Sequence, residues 1–423
     1  MINKPNTPSL RFPQFSGNWE IKKLGEIAGE ISYGMNSAAI VYDGVNKYIR
    51  ITDIDESSRK FVPNPISSPD GKIENKYRLK EGDIVFARTG ASVGKTYLYS
   101  KEDGDLYFAG FLIKFSIINS NPYFVFIQTL LDEYNKWVKM MSMRSGQPGI
   151  NAEEYKTFEI KYTTLPEQEK IAGFLTVVDE KLQALKKKKA LLEDYKKGIM
   201  QRIFSGNLRF KDAPGQPYPD WEVRKLGEVA SFKVTNSFSR ENLNYESGEV
   251  KNIHYGDIHT KFKTILDLKK ETVPFVNPEI SISRISGENY CQVGDLILAD
   301  ASEDLNDVGK CIELVNLNGF ILLAGLHTIL IRPLNDIFFS GYLGYLFASK
   351  IIRLQIQKEA QGSKVSGISP LRLKNISIPI PSLHEQEKIA EFLSAIDAKI
   401  AAIQTQLNKT LEWKKGLLQG MFC

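Results

Sequence analysis

The chain has 423 residues, of which 42% are hydrophobic, 25% charged and 11% aromatic. That is the composition of ordinary globular protein with room for about two to four domains, and it excludes a wholly disordered chain. A net charge of +5 at pH 7 is small for so long a chain and excludes a strongly basic surface.

The opening, Met1 to Phe15, lacks the apolar core of a secretory signal, and the most apolar stretch, Gly319 to Ile331, is too short to span a bilayer and contains His327. A cytoplasmic protein is expected. Cys291, Cys311 and Cys423 are widely separated and have no metal-type spacing, so no disulfide framework is expected either.

From Trp19 onward the chain is written twice. Trp19-Glu-Ile-Lys-Lys-Leu-Gly-Glu-Ile-Ala28 returns as Trp221-Glu-Val-Arg-Lys-Leu-Gly-Glu-Val-Ala230, an offset of 202. Gly82-Asp-Ile-Val-Phe-Ala87 returns as Gly294-Asp-Leu-Ile-Leu-Ala299 at offset 212, and Val93-Gly-Lys95 as Val308-Gly-Lys310 at 215. Glu167-Gln-Glu-Lys-Ile-Ala172 returns as Glu385-Gln-Glu-Lys-Ile-Ala390, and Lys196-Lys-Gly198 as Lys414-Lys-Gly416, both at 218. The offset grows only through the middles, where surface loops tolerate insertion, so a common frame carries two different middles.

Within each half, the β-branched and aromatic runs Lys47 to Thr52, Asp83 to Ala87 and Leu106 to Ile118 predict strands, and Pro122 to Met141 predicts a helix. Leu296 to Leu298, Phe320 to Ile331 and Ile337 to Gln357 take those places in the second half. Each half closes on a long helix. Ile171, Leu175, Val178, Leu182, Leu185, Leu192, Ile199 and Ile203 form a heptad seam, and Ile389, Leu393, Ile396, Ile400, Ile403, Leu407, Leu417 and Met421 repeat it. Lys189, Lys196 and Lys414 interrupt the seams. At ~1.5 Å rise, about 38 residues make a helix of roughly 57 Å, whose narrow apolar stripe is best buried against its counterpart.

The predicted fold class is α+β: two similar mixed α/β domains separated by a pair of long coiled-coil helices, antiparallel if a pseudo-twofold axis relates the halves. The boundaries are residues 1–164 for the first domain, 165–206 for the first helix, 207–217 for a Pro/Gly connector, 218–382 for the second domain and 383–423 for the second helix.

The duplicated W-E-x-x-[KR]-L-G-E opening, the G-D-[IL]-[VIL]-x-A strand, the entry Pro379-Ile-Pro381 to Ile389 and the closing helices together resemble the DNA-specificity subunit of type I restriction-modification systems, over essentially the whole chain. Thr163-Thr-Leu-Pro166 replaces the double-proline entry in the first half. The resemblance implies that each globular half is a target-recognition domain reading one part of a split double-stranded DNA target, with the helices setting the gap. It implies two methylation subunits and restriction subunits as partners. S-adenosylmethionine, ATP and Mg then belong to those partners and no cofactor to this chain. Duplex rise of ~3.4 Å per pair lets a 57 Å helix bridge at most roughly 17 pairs, and one-sided major-groove reading favours a gap near one turn, ~34 Å. A nearly neutral chain should bind DNA weakly until partners close around the duplex.

Candidate DNA contacts are polar residues in loops, because Arg suits guanine, Asn and Gln suit adenine, and Lys and Ser suit phosphate. In the first domain they are Tyr33, Asn36 and Arg88, with Arg144, Ser145, Gln147 and Asn151 in the loop before the closing strand. In the second they are Asn236, Arg240, His254 and Lys261, with Ser363, Lys364 and Ser366 in the matching loop. Lys186 to Lys189 read as a solvated helix face.

Four motifs imitate catalytic sites. Gly90-Ala-Ser-Val-Gly-Lys-Thr96 has one residue too few between its glycines for a phosphate-binding loop and reads as a turn between strands. Asp70, Glu74 and Lys76 sit too close together for a nuclease carboxylate set. Asn121-Pro-Tyr-Phe124 lacks a preceding methyl-donor turn and reads as a helix start. His254 and His259 lack further zinc ligands. Two other readings remain in play: a self-sufficient DNA methyltransferase or nuclease, and a coiled-coil scaffold bearing two lobes unrelated to DNA.

Overall fold

The computed structural model describes residues 7–143, 147–334, 337–362 and 364–422. The chain divides into two compact units that are not its two halves: one combines residues up to Lys186 with those from Thr405 onward, and the other runs from Lys187 to Gln404. Two helices, Leu165–Phe204 and Leu383–Phe422, each begin in one unit and end in the other.

In the first unit, strand Glu20–Lys23 pairs antiparallel with Glu159–Tyr162 and brings the opening motif to the foot of the first long helix. An antiparallel sheet follows in the order Ala28–Tyr33, Leu112–Ile117, Asp83–Ala87, Thr96–Leu98, beside a parallel pair of Lys47–Ile49 with Leu106–Phe108. Strand Asp83–Ala87 is buried along its whole length because both of its faces are covered, which is why it reads as an unbroken apolar run. Phe86, Phe115, Phe124 and Tyr155 fill the centre, and Ile171, Leu175 and Val178 of one long helix meet Leu417, Met421 and Phe422 of the other in the same core.

The second unit repeats the plan. Glu222–Lys225 pairs with Ser377–Ile380, and the sheet runs Ala230–Lys233, Thr328–Pro333, Leu296–Ala299, Cys311–Asn316, with Ile265–Asp267 added in parallel at the edge. Here Met200, Ile203 and Phe204 share a core with Ile389, Leu393 and Ile396. Cys291 and Cys311 are buried free thiols.

The helix pairing is antiparallel in each unit. In the first, Phe422 lies against Trp19 near the start of the first long helix; in the second, Arg209, five residues past the end of that helix, binds Glu385 near the start of the other. Lys189 pairs with Glu193 on its own helix, whereas the other two lysines that interrupt the seams are compensated in matching ways across the helix pair. Lys196 donates to both carboxylate oxygens of Asp397 at 2.7 Å, and Tyr345 donates to the same group. Lys414 pairs with Asp179, which also accepts from Tyr123.

The helix feet are bolted alike. Arg11 grips the buried Glu167 through two nitrogens at 2.7 and 2.8 Å, and Arg209 grips Glu385 at 3.0 and 2.7 Å. Burial acts to raise the Glu167 carboxyl, but hydrogen bonds from Arg11 and Thr163 outweigh it and hold the group below the ordinary glutamate range. Next in sequence, the Gln168 side chain accepts from Asn121 N and donates to Thr163 O, while Gln386 accepts from Phe339 N and donates to Pro381 O. The connector therefore carries an anchor: Arg209 and Phe210, which packs on Phe392, lie within it.

Several expected elements are interrupted. Pro122 to Met141 forms two helices, Pro122–Gln128 and Asp132–Met141, because Thr129 turns its hydroxyl to Phe126 O and Leu131 is extended. Ile337 to Gln357 likewise yields Tyr342–Ala348 and Lys350–Glu359, divided at Ser349. Leu106 to Ile118 and Phe320 to Ile331 each fold into two strands of different sheets, separated by Ala109 to Phe111 and by Gly325 to His327. A Cβ at Gly325 would lie 2.4 Å from Asn252 Nδ2, so the close crossing requires glycine. No helix among the described residues is long and apolar enough to cross a membrane.

Candidate nucleic-acid interface

In the first domain the end of strand Ala28–Tyr33, the turn after Asp83–Ala87 and the bend at Ala109-Gly110 enclose a groove of about 700 Å³. Tyr33, Asn36 and Arg88, far apart in sequence, all line it. The Arg88 guanidinium lies 5.0 Å from the Tyr33 ring centre, and the Tyr33 hydroxyl accepts a hydrogen bond from Ala152 N. Ring and cation are thereby held as a flat, positively charged shelf. Tyr48 supports the opposite wall by donating to Met35 O at 2.8 Å and Ser37 O at 3.1 Å.

Phe111, 59% exposed, completes the rim. The sequence reading missed it because an apolar residue within a strand run looks like core; its pairing through Arg88 N to Phe111 O places it at the sheet end. Ile150 N donates to Arg88 O and Gly90 N to Pro148 O, so the closing loop docks on the same turn. Gln147 there is exposed, its amide beside Gly90. Asn151 uses its side-chain oxygen to cap helix Ala152–Lys156 through Glu154 N at 2.9 Å. Arg144 and Ser145 lie outside the described residues.

The phosphate-loop look-alike is a turn between strands Asp83–Ala87 and Thr96–Leu98. Gly94 has φ +82°, and a Cβ there would sit 2.5 Å from Val138, so the glycine serves helix packing. Lys95 donates to Ile54 O and pairs with Glu56, and its counterpart Lys310 donates to His259 O. Asn121 caps helix Pro122–Gln128.

In the second domain the candidates divide between framework and surface. Asn236 donates to Asn252 Oδ1 and Ala324 O and accepts from Phe238 N, so its side chain is committed to holding the chain crossing. His254 is buried and caps helix Tyr255–Thr260 through Gly256 N, and burial lowers its imidazole below the ordinary range. Arg240 binds both oxygens of the buried Asp257 at 3.0 and 2.9 Å yet keeps half its side chain exposed. Lys261 is exposed and donates to Tyr245 Oη and Thr272 O. Lys364 is exposed, and Ser366 pairs with Ser302 across a short strand bridge. Ser363 lies outside the described residues. The first domain's groove and the Arg240 and Lys261 surface of the second thus carry cations fixed by internal bonds beside the Tyr33 and Tyr245 rings, a combination suited to base edges and phosphates.

The model of the type I restriction modification DNA specificity domain matches twice, over residues 16–194 and 218–413. The type I restriction enzyme MjaVIII specificity subunit of Methanocaldococcus jannaschii is 25% identical over 97% of this chain and 92% of its own length. The putative MjaX specificity subunit of that organism is 25% identical over 95% and 92%. The crystal structure of a type I restriction-modification S subunit from M. genitalium aligns over 99% of both chains, with TM-score 0.58 at 15% identity. A chain from a structure concerned with complex assembly and conformational transition of the type I R-M system aligns over 96% of both, with TM-score 0.53 at 18%.

Proposed function

Because the chain belongs to the type I restriction modification DNA specificity family, we propose that it supplies target recognition to a complex whose chemistry resides in other subunits. Each domain reads one half of a split DNA target, and the paired helices set the unread gap. Two methylation subunits dock on the helices and their flanks and methylate adenine with S-adenosylmethionine. Restriction subunits requiring ATP and Mg join them for cleavage, and the assembly works in the cytoplasm.

The observation that carries this reading is the repetition of one scaffold, down to the Arg11–Glu167 and Arg209–Glu385 anchors, around unlike polar surfaces: Arg88 over Tyr33 in the first domain, Arg240 and Lys261 in the second. Repeated scaffolds present corresponding surfaces to DNA, and unlike side chains on them select unlike bases. The small net charge fits a reader whose grip on phosphate is completed by partners.

Mapping methylated adenines in a genome carrying the gene should reveal a motif of two specified parts around an indifferent gap. Exchange of residues 1–164 for a relative's should change one part alone, and a heptad inserted in both helices should lengthen the gap alone. Methylation by the purified chain without partners would overturn the reading in favour of a self-sufficient methyltransferase, and sequence-blind binding by the assembled complex would favour the scaffold.

A further inference from the structure

Four backbone hydrogen bonds in each domain fix which residues of the two correspond. In the first domain Ala87 N donates to Lys95 O, Gly94 N to Ala87 O, Arg88 N to Phe111 O and Ile150 N to Arg88 O. In the second, Ala299 N donates to Lys310 O, Gly309 N to Ala299 O, Asp300 N to His327 O and Ile368 N to Asp300 O. Arg88 therefore corresponds to Asp300, and Phe111 to His327. The same place holds a cation beside an exposed ring in one domain and an anion beside a histidine in the other.

In the second, His327 Nδ1 lies 3.3 Å from Asp300 Oδ1 as an ion-pair contact; that oxygen is sealed from solvent and accepts no well-formed hydrogen bond from the described residues, although the side chain as a whole is 32% exposed. The outward part of the carboxylate is accordingly Oδ2. His327 adopts φ 53°, a left-handed conformation that non-glycine residues hold only when their surroundings impose it. Its ring packs edge-on against Tyr255 at 5.3 Å, and Tyr255 also contacts His254 at 4.5 Å and His259 at 6.0 Å. His259 Nε2 in turn reaches the carbonyl of Ala301, next to Asp300, at 3.1 Å.

A carboxylate directed at DNA is repelled by phosphate, and the major-groove partners open to it are amino groups, cytosine N4 and adenine N6. We propose that Asp300 accepts a hydrogen bond from the exocyclic amino group of one base in the second half-site, with His327 as its positioning residue, at the place where the first domain presents Arg88. This rests on the bipartite-recognition reading above and adds the chemistry of one position to it.

The test uses the chain assembled with its methylation subunits and the target defined by methylation mapping. Binding is measured on duplexes in which each base pair of the second half-site is replaced in turn. The wild-type complex should lose about 10-fold or more at one cytosine or adenine, and the position identifies which amine is read. Asp300→Ala, and Asp300→Val as a second variant, each of which removes the acceptor, should flatten discrimination at that position while leaving the first half-site unchanged. His327→Ala should weaken discrimination at the same position, and His327→Gln, which retains a donor, should recover part of it. Discrimination unchanged at every position in both Asp300 variants, or lowered uniformly at all of them, overturns the proposal while leaving bipartite recognition intact. A wild-type complex with no two-part target would instead defeat the bipartite reading on which it rests.

Discussion

Helix Pro122–Gln128 and helix Tyr342–Ala348 occupy matching places against their sheets, yet their first turns are satisfied by different means. In the first domain Asn121 caps its own helix, accepting from Phe124 N at 3.0 Å. In the second the cap position is Gly341 at φ +93°, and the acceptor comes from a distant strand: Glu313 takes Gly341 N at 2.5 Å and Gly344 N at 2.6 Å. Leu98 stands where Glu313 does, since each pairs with the corresponding residue of the central strand, Ile84 and Leu296. Equivalent backbone demands can thus be met locally or across the core. The second solution buries a carboxylate, and burial pushes Glu313 up to about 7 despite its two amide bonds.

The strongest way to break the symmetry of the frame is at its anchors. Arg209→Ala leaves the buried Glu385 without its cation and should cost about 3 kcal/mol or more, as should Arg11→Ala opposite Glu167. Thermal unfolding of both variants tests whether the two bolts are equivalent; a shift in only one would show that they are not.

Gly94→Ala and Gly309→Ala should each cost about 2 kcal/mol, since both sites have positive φ and a Cβ would strike Val138 or Ile356 at 2.5 and 2.6 Å. Denaturant midpoints read this directly.

Arg88→Ala should relax base preference in the first half-site by about 1–3 kcal/mol with the unfolding temperature unchanged. Asn236→Ala, its neighbour in kind but committed internally, should do the reverse: lower stability and leave base preference alone.

The last expected effect concerns pH. A carboxyl whose folded value exceeds its unfolded one binds more protons when folded, so the stability it contributes falls as pH climbs from the ordinary glutamate value to about 7. Glu313→Gln should flatten that part of the stability curve, measured by urea unfolding between about pH 5 and 8. An unchanged slope would assign it to other groups.

Much of the frame was legible in the residues. The long helices Leu165–Phe204 and Leu383–Phe422 carry the heptad seams, and most seam residues are buried. A further repeat, Leu10-Arg11-Phe12 against Leu208-Arg209-Phe210, lies in stretches read as an opening and a connector, and it supplies both anchors. Its signal was present but short. The groove was legible in part: Tyr33, Asn36 and Arg88 converge on it, whereas His254 and Asn236 prove to be structural partners of nearby backbone. A polar residue in a loop looks the same whether its hydrogen bonds point inward or toward solvent. Asp300 could have been found by carrying offset 212 one residue past Ala299.

By itself, then, the order of residues determined the duplication, the heptad helices and the buried central strands, because periodicity and repetition are local properties of a chain. The tertiary structure alone decided the antiparallel pairing, the exchange of helix ends between units and the juxtaposition of Asp300 with His327. Those depend on contacts between residues far apart in the chain, and such contacts leave no regular spacing to read.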